Sequence, residues 1–188
     1  MSTVKEYFNG CAERFDGYYT EKKRSFYQEI IHKKLRQPGL VKRFETTINI
    51  LGNVEGKRIL DVGCGSGIYS IFLSSKGAIM TGIDFSKEMI NLAEKNAANE
   101  NVLVDFMVCD FLEFTSLIKF DTVMLIGVFD YVPPNLQLTI LQKAWSLTDN
   151  IVVTTFPRKY AYQSLLRKIW LKKNHCPVYF YTMDNIKQ

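Results

Sequence analysis

The sequence is poor in the residues that hold metals and covalent frameworks. Its 188 residues include two histidines, His32 and His175, and four cysteines, Cys11, Cys64, Cys109 and Cys176. The cysteines lie far apart and form no C-x-x-C pair, which argues against a zinc site and more strongly against a disulfide framework. Isolated cysteines in apolar surroundings are ordinarily small core residues, and Cys64 and Cys109 are read that way. No apolar run approaches the ~18 residues that would span a membrane. The opening residues, MSTVKEYFNGCAERFDGYY, are charged throughout and have no hydrophobic signal core, so a cytoplasmic protein is expected. Gly-Lys-Ser/Thr is also absent, which excludes a Walker phosphate loop. Repeats, low-complexity tracts and Gly/Ser linkers are missing as well.

What remains is an ordinary globular composition, 47% apolar and 23% charged, on a length that suits one domain with a substantial core. The charge is unevenly placed. Residues 1–58 carry 12 Lys/Arg against 7 Asp/Glu, and residues 157–188 carry 7 against 1. The middle, 59–156, carries 5 against 11. Two readings stand side by side: solvated helical faces, or basic flanks that border an acidic site and favour an anionic substrate.

Residues 4–51 read as helices, with a kink or loop at RQPGL (Arg36 to Leu40), where proline and glycine break the pattern. From Lys57 onward short apolar runs alternate with helical patterns. Arg58–Val62, Ile79–Ile83, Leu103–Val108, Phe120–Ile126 and Asn150–Thr155 have strand length and composition. Helical stretches fall near 67–76, 87–98 and 135–148, the last opening at Pro133 and Pro134. This alternation predicts an α/β fold, with crossover units on a mainly parallel sheet of about five strands. Residues 1–56 would form a helical cap on a domain over 57–188.

The stretch DVGCGSG, Asp61 to Gly67, joins the first strand to the first crossover helix. Glycines at 63, 65 and 67 let the backbone turn tightly and leave it bare to a ligand. The helix that follows points its unpaired N–H groups at the same place, which suits a phosphate or a carboxylate. A dinucleotide fingerprint would need glycine where Ile68 stands. The second strand runs into Asp84, about 20 residues past the loop, the spacing of an acid that grips ribose hydroxyls. The third runs into Asp110 and Phe111. These are types that accept from an adenine amino group and cover its ring, with Phe85 and Met89 suited to the other face. Singly, each residue has a plainer reading, as a cap for the acids and as core for Phe and Met.

ILDVGCGSGIYSIFLSSKGAIMTGIDFSKEMINLAEKNA, VCDF and FDTVMLIGVFDYV together resemble the class I S-adenosylmethionine-dependent methyltransferases over roughly residues 57–156. The resemblance implies a Rossmann-like, doubly wound sheet that takes S-adenosylmethionine, releases S-adenosylhomocysteine and needs no metal. Asp61, Gly63, Cys64, Gly65 and Gly67 would hold the methionyl part, Asp84 the ribose, and Asp110 and Phe111 the adenine. It also implies a seven-stranded sheet, whereas five strands are legible, so a C-terminally shortened version with an exposed fifth strand is expected. The Asn/Asp-Pro-Pro-aromatic motif of DNA amino-methyltransferases is not matched by FDYVPP.

The fourth strand ends in GVFDYVPP. Gly127 would meet the cofactor through its backbone, and Asp130 and Tyr131 are the candidates for contacting the methyl acceptor. Tyr18 and Tyr19, with Phe15, would line a lid, and Arg158 would contact an anionic substrate. His32 and His175 are isolated and are assigned no role. The reading that leads is a small-molecule methyltransferase acting on oxygen, nitrogen or carbon. Basic, aromatic flanks keep an RNA methyltransferase open, and the missing strands keep a non-catalytic cofactor binder open. The oligomeric state is not legible.

Overall fold

Period-two alternation sorts the strand side chains onto two faces. A computed structural model describes residues 4–10, 37–157 and 176–180. Along β1 (Arg58–Val62), Leu60 and Val62 join one buried cluster while Ile59 joins the other. Along β4 (Phe120–Leu125), Val123 and Leu125 take the first face and Met124 the second. Strands buried on both faces read as mainly apolar runs and belong to parallel sheets, and β1 and β4 are such runs apart from Arg58, Asp61, Asp121 and Thr122.

Among the described residues the sheet holds five strands in the order β3-β2-β1-β4-β5, and every neighbouring pair is parallel. β2 is Ile79–Asp84, β3 is Asp105–Val108 and β5 is Thr148–Thr154. The chain winds outward from β1 through β2 to β3, then returns to β4 on the other side of β1. The carboxyl ends of β1 and β4 therefore flank the switch point, where open α/β sheets form a ligand crevice.

Residues 4–10 form a first helix, α1. α2 (Gln37–Leu51) presents Phe44, Thr47, Ile48 and Leu51 at the i, i+3, i+4, i+7 spacing to the second face. α3 (Ile68–Ser74) lies beside it, with Phe44 stacked near Tyr69 and Phe72 at ring distances of 5.1 and 5.0 Å. α4 (Lys87–Asn99) packs on β2 and β3, burying Met89, Ile90, Ala93 and Ala97. Its N-cap is Ser86, whose hydroxyl accepts from the Met89 N–H at 3.2 Å. α5 (Gln137–Ser146), entered through a short 3₁₀ turn at Pro134–Leu136, covers the first face with Ile140 and Ala144.

The α/β reading and the strand count agree with the structure; two local expectations do not. Of the break expected at Arg36–Leu40, Gln37 to Leu40 form the start of α2 and Arg36 lies outside the described residues. Pro38 falls in the first helical turn, where a missing N–H costs nothing because that group has no intrahelical partner. Leu103 was expected in β3, but the strand starts at Asp105 and Leu103 is 92% exposed. Among the described residues β3 is an edge strand, paired only with β2. Among the described residues the sheet ends at β5, as expected.

Candidate active site

The glycine loop is shaped by its neighbours as much as by its own residues. Gly63, Gly65 and Gly67 all have positive φ, at 67°, 56° and 83°. A side chain on Gly67 would come within 2.9 Å of the Phe106 ring and 3.1 Å of Ala93. Gly82, beside Asp61 on β2, leaves room for the same ring, which would lie 2.7 Å from an added Cβ. Phe106 of β3 thus fills a slot between two glycines and supports the loop from beneath. A further prop comes from α4, where the Asn96 side chain donates to the Ser66 carbonyl at 3.1 Å. Sequence reading missed both Phe106 and Asn96; a glycine inside an apolar strand, Gly82, was the signal of a close approach there.

Asp84 ends β2 directly opposite the loop. One carboxylate oxygen accepts from the Gly65 N–H at 3.0 Å and the other from the Ser86 N–H at 2.9 Å. These bonds fix the carboxylate and leave further lone pairs for two hydroxyl donors. Burial pushes its pKa up to about 6, against the pull of the Ser86 and Gly65 amides. Asp61 shares the face of Ile59 and turns toward α3, where the Ser70 hydroxyl donates to it at 2.7 Å in a fully buried pair. Burial raises Asp61 to about 7, with Ser70 opposing and the charge of Asp84 adding to the rise. Cys64 is buried within the loop, and burial also holds its thiol well above the usual range.

The other expected residues divide. Asp110 follows β3 and is half-buried, its carboxylate accepting from the Leu112 N–H at 2.9 Å. Phe111 is only 9% exposed and sits in the core with Phe114 and Phe120, under the Lys143 ammonium at 5.8 Å. Met89 is 1% exposed, and its N–H donates to the Ser86 hydroxyl at the start of α4. Phe85 stays half-exposed at the tip of β2. Gly127, with φ of 80°, follows β4 and donates its N–H to the Thr155 hydroxyl at 2.8 Å. Asp130 is buried and Tyr131 half-buried just beyond. Tyr18, Tyr19 and Arg158 lie outside the described residues, as do Phe15, His32 and His175.

Phe8 of α1, which sequence reading did not single out, bridges two of these positions. Its ring stands edge-on to Tyr131 at 5.1 Å and to Phe85 at 6.2 Å. Val4, Tyr7, Cys176 and Val178 complete this third apolar cluster. The Tyr179 N–H donates to the Asp130 carbonyl at 2.9 Å. Segments from near both ends of the chain therefore meet over the carboxyl ends of β2 and β4. Among the described residues no group of His, Cys, Asp and Glu could hold a metal, and no helix is long and apolar enough to cross a membrane.

Comparison with known proteins matches this arrangement. A family model described as a methyltransferase domain matches residues 59–150, from β1 into β5. Magnesium protoporphyrin IX methyltransferase from Synechocystis PCC 6803, solved with bound S-adenosylhomocysteine, superposes with a TM-score of 0.78 at 25% identity. The match covers 98% of this chain and 84% of that one. The chain carries the Rossmann-like fold of the class I S-adenosylmethionine-dependent methyltransferases. The chloroplastic magnesium protoporphyrin IX methyltransferase of Arabidopsis thaliana is 32% identical over 176 residues, 88% of this chain and 54% of the relative. A ubiquinone biosynthesis O-methyltransferase of Pasteurella multocida is 36% identical over 89 residues, 42% of this chain and 37% of that protein. The chain spans about half the length of the curated relatives it matches.

Proposed function

We propose that this domain transfers a methyl group from S-adenosylmethionine to an oxygen, nitrogen or carbon nucleophile of a small organic acceptor. The observation that carries the proposal is the placement of Asp84. Its carboxylate is buried, fixed by two backbone amides and set against a bare glycine loop at the switch point. That pairing fits a ribose on the acid and an amino-acid end on the loop. The three left-handed glycines keep the loop free of side chains, so the cradle fits the cofactor's methionyl part at Gly63, Cys64, Gly65 and Gly67. Asp61 acts on this cradle through Ser70, tying the end of β1 to the helix that opens behind the loop. Asp110, Phe85 and an edge of Phe111 complete the adenine side.

S-adenosylmethionine supplies an activated methyl group on a sulfonium. The chain's own task is to place the acceptor in line and keep water out, an effect worth up to ~7–11 kcal/mol when the geometry is good. Gly127 borders the methyl position with backbone alone. Tyr131 and the buried Asp130 follow it and contact or orient the acceptor, Asp130 taking a proton where the nucleophile must lose one. Phe8 packs on Tyr131 and Phe85 and closes the apolar side of the site.

The named relatives support a small-molecule acceptor over RNA, since they are named for magnesium protoporphyrin IX and for ubiquinone biosynthesis. Labelled-methyl transfer into cell extract, fractionated into small molecules, protein and RNA, tests the reading. Label is expected in the small-molecule fraction. Label confined to RNA would move the assignment to the RNA reading, and label nowhere would favour a cofactor binder without activity.

A further inference from the structure

The chain leaves β4 at the switch point, and the end of β5 is fastened to it there. The Thr154 hydroxyl donates to the Leu125 carbonyl at 3.2 Å, and the Thr155 N–H donates to the same carbonyl at 3.4 Å. Phe156 lies on Phe129, with ring centroids 4.6 Å apart. Between these two anchors Gly127 turns out of the ladder with φ of 80°, and its N–H donates to the Thr155 hydroxyl at 2.8 Å. A hydroxyl that accepts still has its own proton to donate. Thr154 spends that proton on Leu125. Half-buried Thr155 gives its proton to no acceptor among the described residues. One residue beyond Gly127, Val128 Cγ2 would lie 2.9 Å from a Cβ on Gly63. Thr155, Gly127, Val128 and Gly63 therefore form one line of neighbours across the crevice, from the end of β5 to the glycine loop.

We propose that the Thr155 hydroxyl contacts the methyl acceptor, donating its proton to the attacking atom, and that this atom is oxygen. The inference rests on the methyltransferase reading and deepens it. In that reading the donor lies over β1 to β3 and Gly127 borders the methyl group, so the acceptor comes from the side of β5, where Thr155 stands. The Gly127 N–H occupies one lone pair of the Thr155 oxygen and thereby restricts where its proton points. A proton donor held against the attacking atom discriminates among nucleophiles. Oxygen keeps a second lone pair to accept with while the first attacks. A neutral amine nitrogen has one lone pair, which the methyl group needs, and a carbon nucleophile has none to spare. The bond contributes alignment, holding the attacking lone pair in line with the methyl group. That pair forms the new O–C bond as the C–S bond breaks, and the electrons of the C–S bond stay on sulfur as S-adenosylhomocysteine. The proton of a neutral hydroxyl acceptor passes to Asp130, the base named above.

The test is labelled-methyl transfer by wild-type protein, Thr155→Val and Thr155→Ser, with heat-inactivated cell extract as the source of acceptor. The small-molecule products are freed of unreacted S-adenosylmethionine and heated in hydriodic acid. The acid releases methyl groups from oxygen as volatile methyl iodide and leaves those on nitrogen and carbon in place. Label transferred by the wild-type protein is expected in the volatile fraction. Thr155→Val should lower the rate at saturating S-adenosylmethionine ~10-fold, as loss of one well-placed hydrogen bond predicts. It should leave the calorimetric affinity for S-adenosylhomocysteine unchanged. Thr155→Ser keeps the hydroxyl and should restore most of the rate. Label that stays behind in the acid would overturn the proposal, and so would a Thr155→Val rate equal to that of wild type. A loss of S-adenosylhomocysteine affinity that matches the loss of rate would make Thr155 a cap for the Gly127 N–H alone, which also overturns it. Wild-type protein that transfers no label would instead overturn the methyltransferase reading itself. Melting temperatures of the variants separate a lost contact from a lost fold.

Discussion

At the scale of single residues, the two buried acids tie stability and ligand affinity to pH in opposite directions. Asp61 and Asp84 have pKa values raised to about 7 and about 6 in the folded chain. The folded state therefore holds protons that the unfolded state, with ordinary aspartates, gives up near pH ~4. Their contribution to stability is full below that pH and is lost as pH rises through about 6 and then about 7. These two groups make the ligand-free domain less stable at pH 8 than at pH 5. Asp61→Asn should flatten that dependence, and melting curves across this range check it. Ligand affinity runs the other way. Protonated Asp84 is a poorer acceptor for ribose hydroxyls, so S-adenosylhomocysteine affinity should fall as pH drops through about 6. An affinity constant between pH 5 and 7.5 would remove Asp84 from the ribose site. Steric demands are as specific. Gly82→Ala drives a methyl group into the Phe106 ring and should cost ~1–3 kcal/mol by denaturant unfolding.

At the scale of elements, the strands and crossover helices were legible because periodicity and turn chemistry agreed. β1, β2 and β4 are apolar runs buried on both faces, and the Ser86 cap opens α4 where the pattern changes. The start of α2 was misread because Pro-Gly ends many helices and also suits a first turn; only packing of Phe44 and Leu51 on α3 and β1 decides it. The glycine loop and Asp84 were legible from local spacing. Phe106 and Phe8 were not, because each reaches the candidate site across sequence gaps that no local pattern encodes. Ser70 belongs to the same class. Ser70→Ala leaves Asp61 buried without its hydroxyl donor and should cost ~1–3 kcal/mol, read as a lowered midpoint in urea with unchanged slope. Phe8→Ala opens the contact between Tyr131 and Phe85. It should raise KM for the acceptor more than it weakens S-adenosylhomocysteine, and weakened S-adenosylhomocysteine with an unchanged acceptor KM would show that α1 covers only the cofactor.

At the scale of the whole molecule, the proposed function divides the fold into a donor side and a more idiosyncratic acceptor side. The proposed donor side lies within β1 to β3, inside the segment matched by the methyltransferase family model. The proposed acceptor side draws on α1, the loop after β4 and residues 176–180, which come together only in the folded chain. This division explains why the sequence spoke clearly about the donor and little about the acceptor. The central claim concerns the donor, and titration calorimetry with S-adenosylhomocysteine and NAD against wild-type protein and Asp84→Ala tests it most directly. S-adenosylhomocysteine should bind the wild-type protein, NAD should not, and Asp84→Ala should abolish the heat of binding while remaining folded. Wild-type protein that is folded yet silent to S-adenosylhomocysteine at millimolar concentration, or that prefers NAD, would contradict the account.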